Sequence, residues 1–170
     1  RGGLRVTKKL SILRQKLQEV ELNALLISDP SNRRYVSGFT GSSGNLLVSQ
    51  DRAVLATDFR YVEQARIQSP SFQIINVNPG WNWLITEIGH MKAGTIGFES
   101  KHMTFAIYKQ ITNAIKAAGV NVNFIATDNL VEMLRAVKDP DELAFLQQAI
   151  NISDGAMESV VPTIKPGQTE

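Results

Sequence analysis

The segment Ala24–Thr57, ALLISDPSNRRYVSGFTGSSGNLLVSQDRAVLAT, decides the fold. Its first apolar run, Ala24–Ile27, is ended by an Asp-Pro pair, which is typical of a short buried strand. Two further short runs, Leu46–Ser49 and Ala53–Thr57, lie on either side of a polar turn and predict a β-hairpin. Residues 29–44 between them are polar and rich in glycine, so we expect a long loop with one helical turn.

Helices and strands alternate on both sides of this segment. The clearest helix covers residues 5–21, where apolar residues recur at steps of four and three: Val6, Leu10, Leu13, Leu17 and Val20. Downstream, the pattern predicts helices over 59–68, 81–91, 105–118 and 128–136, and strands over 74–77, 95–98 and 120–125. This alternation predicts an α/β fold in which a mixed β-sheet is flanked by helices.

The composition is that of an ordinary globular domain. With 170 residues, 43% of them apolar and 20% charged, the chain can build a core of normal size. It has no cysteine, which excludes disulfides and thiolate chemistry and fits a reducing compartment. The net charge is only +2, and the basic residues within Arg1–Lys16 are interpreted as the solvated face of a helix. We see no signal peptide and no apolar stretch near the ~20 residues of a membrane span. We therefore expect a soluble cytoplasmic protein with neither nucleic acid nor membrane as a partner.

The last predicted helix has a strong start and an apolar stripe without an evident partner. In Asp139-Pro140-Asp141-Glu142 the first Asp can cap the helix, Pro fits its first position and Glu can reach back to the cap. The helix runs to about residue 160 with a stripe of Leu143, Leu146, Ile150, Met157 and Val160. The stripe either folds back on this domain or belongs to a following domain, and the pattern leaves both open. Because the chain begins with Arg rather than Met, we expect it to be part of a longer protein.

Residue patterns that carry hydrolytic or phosphate chemistry are missing from the sequence. His90 and His102 lie in no His-Glu-x-x-His motif or spaced cluster, so each is interpreted as a surface histidine. A Gly-x-Ser-x-Gly motif is absent. Gly38, Gly41 and Gly44 match neither the dinucleotide fingerprint nor the P-loop, and they lead into a strand rather than a helix. We expect no catalytic residue, metal ligand or cofactor site in this chain.

The acidic residues offer no pair at a spacing typical of acid/base or metal work. The candidates are Asp58, Glu63, Glu99, Asp128 and Glu132. We interpret Asp58 and Asp128 as helix caps.

One polar and aromatic cluster is typical of a binding loop. It comprises Asp29, Asn32, Arg33, Arg34, Tyr35 and Phe39. Loops are where binding residues concentrate. Equally, the two aromatic residues could serve only to anchor the loop to the core.

Five segments, in order along the chain, resemble motifs of the amino-terminal domain shared by creatinase, prolidase and Xaa-Pro aminopeptidase. Asn32–Gly41 (NRRYVSGFTG) resembles N-x-x-Y-x-[ST]-G-F-x-G, and Thr57–Ala65 (TDFRYVEQA) resembles T-D-x-R-Y-x-x-Q-A. Ile96–Glu99 (IGFE) is similar to the I-G-[FV]-E strand. Leu134–Leu143 (LRAVKDPDEL) is similar to the L-R-x-x-K-x-x-x-E-[IL] segment that joins two domains, and Gly167–Glu170 (GQTE) resembles G-x-T-E.

The resemblance implies a creatinase-type amino-terminal domain of ribonuclease-H-like topology over residues 1–136. Residues 137–170 would be the linker and the first helix of a catalytic domain. The parent would be a peptidase that cleaves bonds to proline in short peptides, and its catalytic domain would hold two divalent metal ions (Mn, Co or Zn).

The resemblance also implies a homodimer in which the loops of this domain restrict entry to the active site of the other subunit. The matching loop is 29–44, with the residues Asp29, Asn32, Arg33, Arg34, Tyr35 and Phe39. The guanidinium of Arg33 or Arg34 would attract a peptide carboxylate, because the two groups pair in a bidentate manner.

Three other functions remain open. As an alternative to the peptidase, the parent would be a creatine amidinohydrolase, because the fold and motifs of this half would look alike and only pocket residues of the catalytic half would discriminate between the two. A peptide- or protein-binding module of the same fold, as in a histone-chaperone subunit, would be favoured by strongly acidic tracts, which are absent. A ribonuclease-H-like nuclease would need acidic residues clustered at the strand ends, and no such set is visible.

Overall fold

The computed structural model describes residues 2–91 and 94–169, with side chains from Val6 onward. The chain divides into two units, of which the first ends at Arg135 and the second begins at Ala136. Residues 1 and 170, which bound the predicted domains, lie outside the described residues, as does the last residue of the Gly167–Glu170 motif. The assignment of residues 137–170 to a catalytic domain stays a prediction.

The first unit alternates helices with strands. Its helices are α1 (Gly2–Glu19), α2 (Pro30–Ser37), α3 (Val62–Gln68), α4 (Asn82–Met91), α5 (Phe105–Ala117) and, at its end, α6 (Leu130–Ala136). Its strands are β1 (Ala24–Ile27), β2 (Asn45–Ser49), β3 (Ala53–Thr57), β4 (Gln73–Asn76), β5 (Thr95–Glu99) and β6 (Asn123–Thr127).

The strands of the described residues form one six-stranded mixed sheet in the order β4-β3-β2-β1-β5-β6. The predicted hairpin is confirmed, since β2 pairs antiparallel with β3, and β2 also pairs antiparallel with β1. The remaining pairs, β1–β5, β3–β4 and β5–β6, are parallel, and helices α3 and α5 provide the crossovers for the last two of them. The predicted α/β fold with a mixed sheet flanked by helices is confirmed.

Two apolar clusters cover the two faces of the sheet. One contains the inner stripe of α1, namely Val6, Leu10, Leu13 and Leu17, together with residues of α2, α3 and α6. The other contains the inner residues of α4 and α5. Both faces of strand β1 are buried, because Leu25 and Ile27 face the first cluster and Ala24 and Leu26 face the second. This explains why the sequence of β1 is apolar throughout rather than alternating.

The prediction of a loop with one helical turn over residues 29–44 is wrong for its first half, because α2 is a complete helix of eight residues. Its start was visible in the Asp29-Pro30 pair, since Asp29 accepts a hydrogen bond from the backbone N–H of Asn32 and Pro30 occupies the first helical position. The helix ends at Gly38, whose φ of 79° is in the left-handed region. Its length of two turns gives too short an apolar stripe to be recognised by periodicity.

Two predicted caps are also wrong. Helix α3 begins at Val62 and its N-cap residue Tyr61 makes no side-chain cap bond, while the carboxylate of Asp58 binds Arg60 instead. Asp128 accepts a hydrogen bond from the hydroxyl of Ser100. Both helices begin further along the chain than an N-cap at these positions requires, because α3 starts at Val62 and α6 at Leu130.

The last strand begins three residues later than predicted. Gly119, with φ of 65°, ends α5 as expected, and the N–H of Val120 then donates to the carbonyl of Ile115. This bond pattern caps the carboxyl end of the helix and withholds Val120 from the sheet.

The second unit consists of the helix α7 (Pro140–Val160) and a short 3₁₀ turn (Val161–Thr163). The predicted start of α7 is confirmed, because Asp139 and Glu142 form a reciprocal capping box. Within Pro140–Val160, all of whose residues are described, none is buried. Large apolar side chains are instead exposed along the helix, among them Leu143, Phe145, Leu146, Ile150, Ile152 and Met157.

Candidate functional site

Helix α2 leads directly into a turn, Gly38–Gly44, that we call the glycine loop. Together they occupy the place of the predicted binding loop, next to the carboxyl end of β1. Contacts with β3, α3, β5 and α6 hold this segment in place.

Asn32 lies at the centre of a buried polar network. Its amide nitrogen donates to Glu99 Oε1 (2.7 Å) and to Glu132 Oε1 (2.8 Å), and its Oδ1 accepts from a guanidinium nitrogen of Arg135 (2.8 Å). The other oxygen of Glu99 accepts from the backbone N–H groups of Ser28 and Asp29, each at 2.7 Å. Every polar group of the Asn32 amide is therefore used, and the network connects α2, β5, α6 and the two residues that follow β1.

Arg33 holds the glycine loop from the inside. Its guanidinium donates to the carbonyl oxygens of Gly44 (2.6 Å) and Gly41 (2.7 Å), and it lies 5.7 Å from the ring centroid of Phe39. Only 3% of Arg33 is exposed. Burial lowers the pKa of Arg33, and the carboxylates of Asp29 and Glu99 oppose that shift. Because Arg33 is almost completely buried, its guanidinium is not accessible to a peptide carboxylate at the surface, although its Nε has no hydrogen-bond partner among the described residues.

The outer side of the glycine loop is fixed by β3 and α3. The contacts are Thr57 Oγ1 to the carbonyl of Ser43 (2.7 Å), the hydroxyls of Ser42 and Tyr61 (2.7 Å apart), and the N–H of Thr40 to Gln68 Oε1 (2.9 Å). A loop bound on both sides in this way is preorganised rather than freely mobile.

Beside the loop, Asp58 and Arg60 form a bidentate pair and leave an aromatic side chain exposed between them. Arg60 Nε donates to Asp58 Oδ1 and its terminal nitrogen to Oδ2, both at 2.9 Å. These bonds hold the pKa of Asp58 well below its usual range. Phe59 is 78% exposed, which places a large apolar group at the surface next to a fixed charge pair.

The six residues predicted for the access loop thus have different environments. Asn32, Arg33 and Phe39 are buried, Asp29 and Tyr35 are partly buried, and Arg34 is exposed. Phe39 belongs to the core cluster, and the hydroxyl of Tyr35 donates to the carbonyl of Leu134 (3.1 Å), so both aromatic residues do anchor the segment. The access role stays a prediction, and Arg34 is the most exposed of the six.

The network around Asn32 includes residues that sequence reasoning did not place together. Glu99 and Glu132 were two of the five acidic candidates, among which the sequence showed no pair at a typical spacing, yet both contact the same amide nitrogen. Arg135 was not singled out by its chemistry. The available signal was that Asn32, Glu99 and Arg135 each occupy a motif position.

Among residues 2–91 and 94–169, no group of three His, Asp or Glu side chains is arranged to hold a metal ion. His102 lies 3.9 Å from a carboxylate oxygen of Asp29, and His90 lies 3.3 Å from Glu87. In the same described residues, no helix combines the length and apolar character needed to cross a bilayer.

The sequence model of the Creatinase/Prolidase N-terminal domain matches residues 9–137. The chain belongs to this family. A curated relative, the uncharacterized peptidase YqhT of Bacillus subtilis, is 34% identical over 165 residues, which are 95% of this chain and 45% of that protein. Xaa-Pro aminopeptidase 2 of Homo sapiens is 27% identical over 150 residues, covering 79% of this chain and 22% of that protein.

Solved structures agree with this assignment. An Xaa-Pro dipeptidase from Bacillus anthracis has a TM-score of 0.89 and 32% identity, and the match covers 97% of this chain and 45% of that chain. The N-terminal domain of the cytoplasmic peptidase PepQ from Mycobacterium tuberculosis has a TM-score of 0.69 and 36% identity, covering 75% of this chain and 98% of that chain. The chain therefore spans less than half the length of the curated relatives cited here and corresponds to an N-terminal domain.

The contacts described above give the motifs of this creatinase/prolidase domain a physical reason. The first two, Asn32–Gly41 and Thr57–Ala65, supply the residues that fix the glycine loop from both sides. The glutamate that ends Ile96–Glu99 and the Leu-Arg pair that begins Leu134–Leu143 bind α2. Within Ile96–Glu99, a Cβ on Gly97 would lie 2.7 Å from Thr127 Cγ2 and 2.8 Å from Leu22 Cδ1, so this position needs glycine.

Proposed function

We propose that this chain is the non-catalytic amino-terminal domain of a metal-dependent Xaa-Pro peptidase, in which it restricts substrate access and takes part in a homodimer. The observation that supports this most is coverage: 97% of the chain matches an Xaa-Pro dipeptidase, but the match uses only 45% of that protein. The remaining part of such a protein is large enough for a separate catalytic domain.

In this proposal the catalytic residues and two divalent metal ions (Mn, Co or Zn) belong to the part of the protein that follows the chain. The exposed apolar side chains of α7 then become core residues of that part, which gives a reason for a helix with no buried residue. Because the PepQ relative is described as a cytoplasmic peptidase, we also propose a cytoplasmic location.

The proposed access role rests on the shape and rigidity of α2 and the glycine loop. A loop that excludes large substrates must keep its position when a peptide presses against it, and the contacts of Arg33, Thr57 and Tyr61 provide that resistance. Arg34 lies in the last turn of α2 and is exposed, so it can attract the carboxylate of a short peptide.

We expect Arg34→Ala in the full-length enzyme to raise KM for an Xaa-Pro dipeptide about tenfold and to leave kcat nearly unchanged. A hydrogen bond to a charged group contributes about 1.5 kcal/mol, which corresponds to a factor near ten in affinity. Steady-state kinetics with a dipeptide substrate measure both constants.

The matched control is Lys109→Ala, which removes an exposed cation from α5 on the opposite face of the sheet. Equal changes in KM for the two variants would show that only the overall charge matters, and an unchanged KM for Arg34→Ala would remove Arg34 from the proposal.

The proposed homodimer is supported by large apolar side chains on the surface of the first unit. Phe59 is 78% exposed and Ile67 is 80% exposed, both in or next to α3. Sedimentation of the full-length protein should give twice the monomer mass, and a monomer at micromolar concentration would contradict this part of the proposal.

A further inference from the structure

Helix α2 binds the end of the first unit with one side. Asn32 Oδ1 accepts from the guanidinium of Arg135 (2.8 Å), and the Tyr35 hydroxyl donates to the carbonyl of Leu134 (3.1 Å). Asn32 and Tyr35 are three positions apart and therefore project from the same side of the helix. The chain is thus held at the last two residues before the boundary between the units.

The same helix binds the glycine loop with another side. Arg33 donates to the carbonyls of Gly41 and Gly44. The Ser37 hydroxyl, four positions along, donates to the carbonyl of Arg33 (2.7 Å) and accepts from the N–H of Phe39 (3.1 Å). The loop is therefore attached to α2 by side chains as well as by the chain itself.

We propose that α2 couples the glycine loop to the end of the first unit, with Arg135 acting as a positioning residue for the loop. The helix is only two turns long and its own hydrogen bonds keep it rigid, so a displacement of one attachment moves the other. What the loop does rests on the proposed function, but the coupling itself follows from the contacts.

Through this coupling, the position of the glycine loop would depend on the position of the segment that continues toward the proposed catalytic domain. Both attachments lie within the first unit, and the two bonds to the end of the unit join residues 103 and 99 positions apart in sequence. Energetic coupling between two sites is reciprocal, so loosening the loop must also loosen the end of the unit.

The test is amide hydrogen exchange of the full-length protein. Arg135→Met keeps an unbranched side chain but removes the donor to Asn32. We expect the amides of Phe39 and Thr40 to exchange about tenfold faster, while amides of the central strand β1 change by less than twofold. Arg66→Met, which removes an exposed guanidinium from α3, is the matched control and should leave both groups unchanged.

Two further variants keep the proposal falsifiable if Arg135→Met folds poorly. Tyr35→Phe removes only the hydroxyl that holds Leu134 and should also speed exchange in the loop. Gln68→Ala loosens the loop from its outer side and should speed exchange at residues 134–136, as reciprocity requires.

Faster exchange confined to residues 130–136 after Arg135→Met would overturn the proposal, because the anchor would then be purely local. A uniform increase in all segments would also overturn it, since that result indicates general loss of stability. The measurement involves no substrate, so its outcome is independent of whether the protein cleaves Xaa-Pro bonds.

Discussion

Glu99→Gln should lower the free energy of unfolding by about 3 kcal/mol although the two side chains have nearly the same shape. Glu99 is 6% exposed and its two oxygens accept from two backbone N–H groups and from the amide of Asn32. A glutamine has only one oxygen. Whichever way its amide is turned, an NH₂ group must face a donor, either the N–H groups of Ser28 and Asp29 or the amide of Asn32.

Asn32 cannot resolve this conflict by turning its own amide. Its Oδ1 accepts from Arg135 and its nitrogen also donates to Glu132, so a flip would create two new conflicts. A buried donor left without an acceptor costs about 1–3 kcal/mol, and here the lost acceptor is also charged. Urea unfolding followed by the fluorescence of Trp81 and Trp83 measures the change.

The matched control is Glu63→Gln. Glu63 is exposed on α3 and pairs with the exposed Arg66, so its replacement should change the free energy of unfolding by less than about 0.5 kcal/mol. A similar small effect for Glu99→Gln would show that the buried network contributes little to stability.

Gly41→Ala should lower the free energy of unfolding by about 3 kcal/mol, because the added methyl group has no space. Its Cβ would lie 2.2 Å from Cζ of Phe39 and 2.9 Å from two further ring atoms. The ring cannot retreat, since Phe39 is fully buried and packs edge-on against Tyr61. The loop would have to move instead, which breaks the bonds between Arg33 and the carbonyls of Gly41 and Gly44.

Gly89→Ala is the matched control with the opposite expected sign. Gly89 lies on the exposed side of α4, and a Cβ there would meet nothing within 4 Å. Alanine in a helix is more favourable than glycine by about 0.5–1 kcal/mol, so this variant should be slightly more stable. If Gly41→Ala also proved neutral, the glycine loop would be more adaptable than its contacts indicate.

The sheet and its helices were largely predictable because they depend on local patterns. The stripe of α1, the hairpin of β2 and β3 and the capping box of α7 each need residues within one short window. Short-range periodicity and capping rules therefore apply to them directly.

The candidate site was only partly predictable because its contacts are distant in sequence. Asn32 meets Glu99 and Glu132 across 67 and 100 positions. A charged residue such as Arg33 is also expected at the surface by default, and its burial depends on two carbonyl oxygens of a loop that the pattern does not resolve. The segment was recognised from its composition, but the division into buried anchors and the exposed Arg34 was not.

The central claim is that this chain is an accessory domain of an Xaa-Pro peptidase. The most direct test compares the purified 170-residue chain with the full-length protein in hydrolysis of an Xaa-Pro dipeptide, with Mn²⁺, Co²⁺ or Zn²⁺ supplied to both. We predict metal-dependent release of free proline by the full-length protein and none by the chain alone. Hydrolysis by the chain, once contaminating enzyme has been excluded, or no hydrolysis by the full-length protein with any of these metals, would contradict the claim.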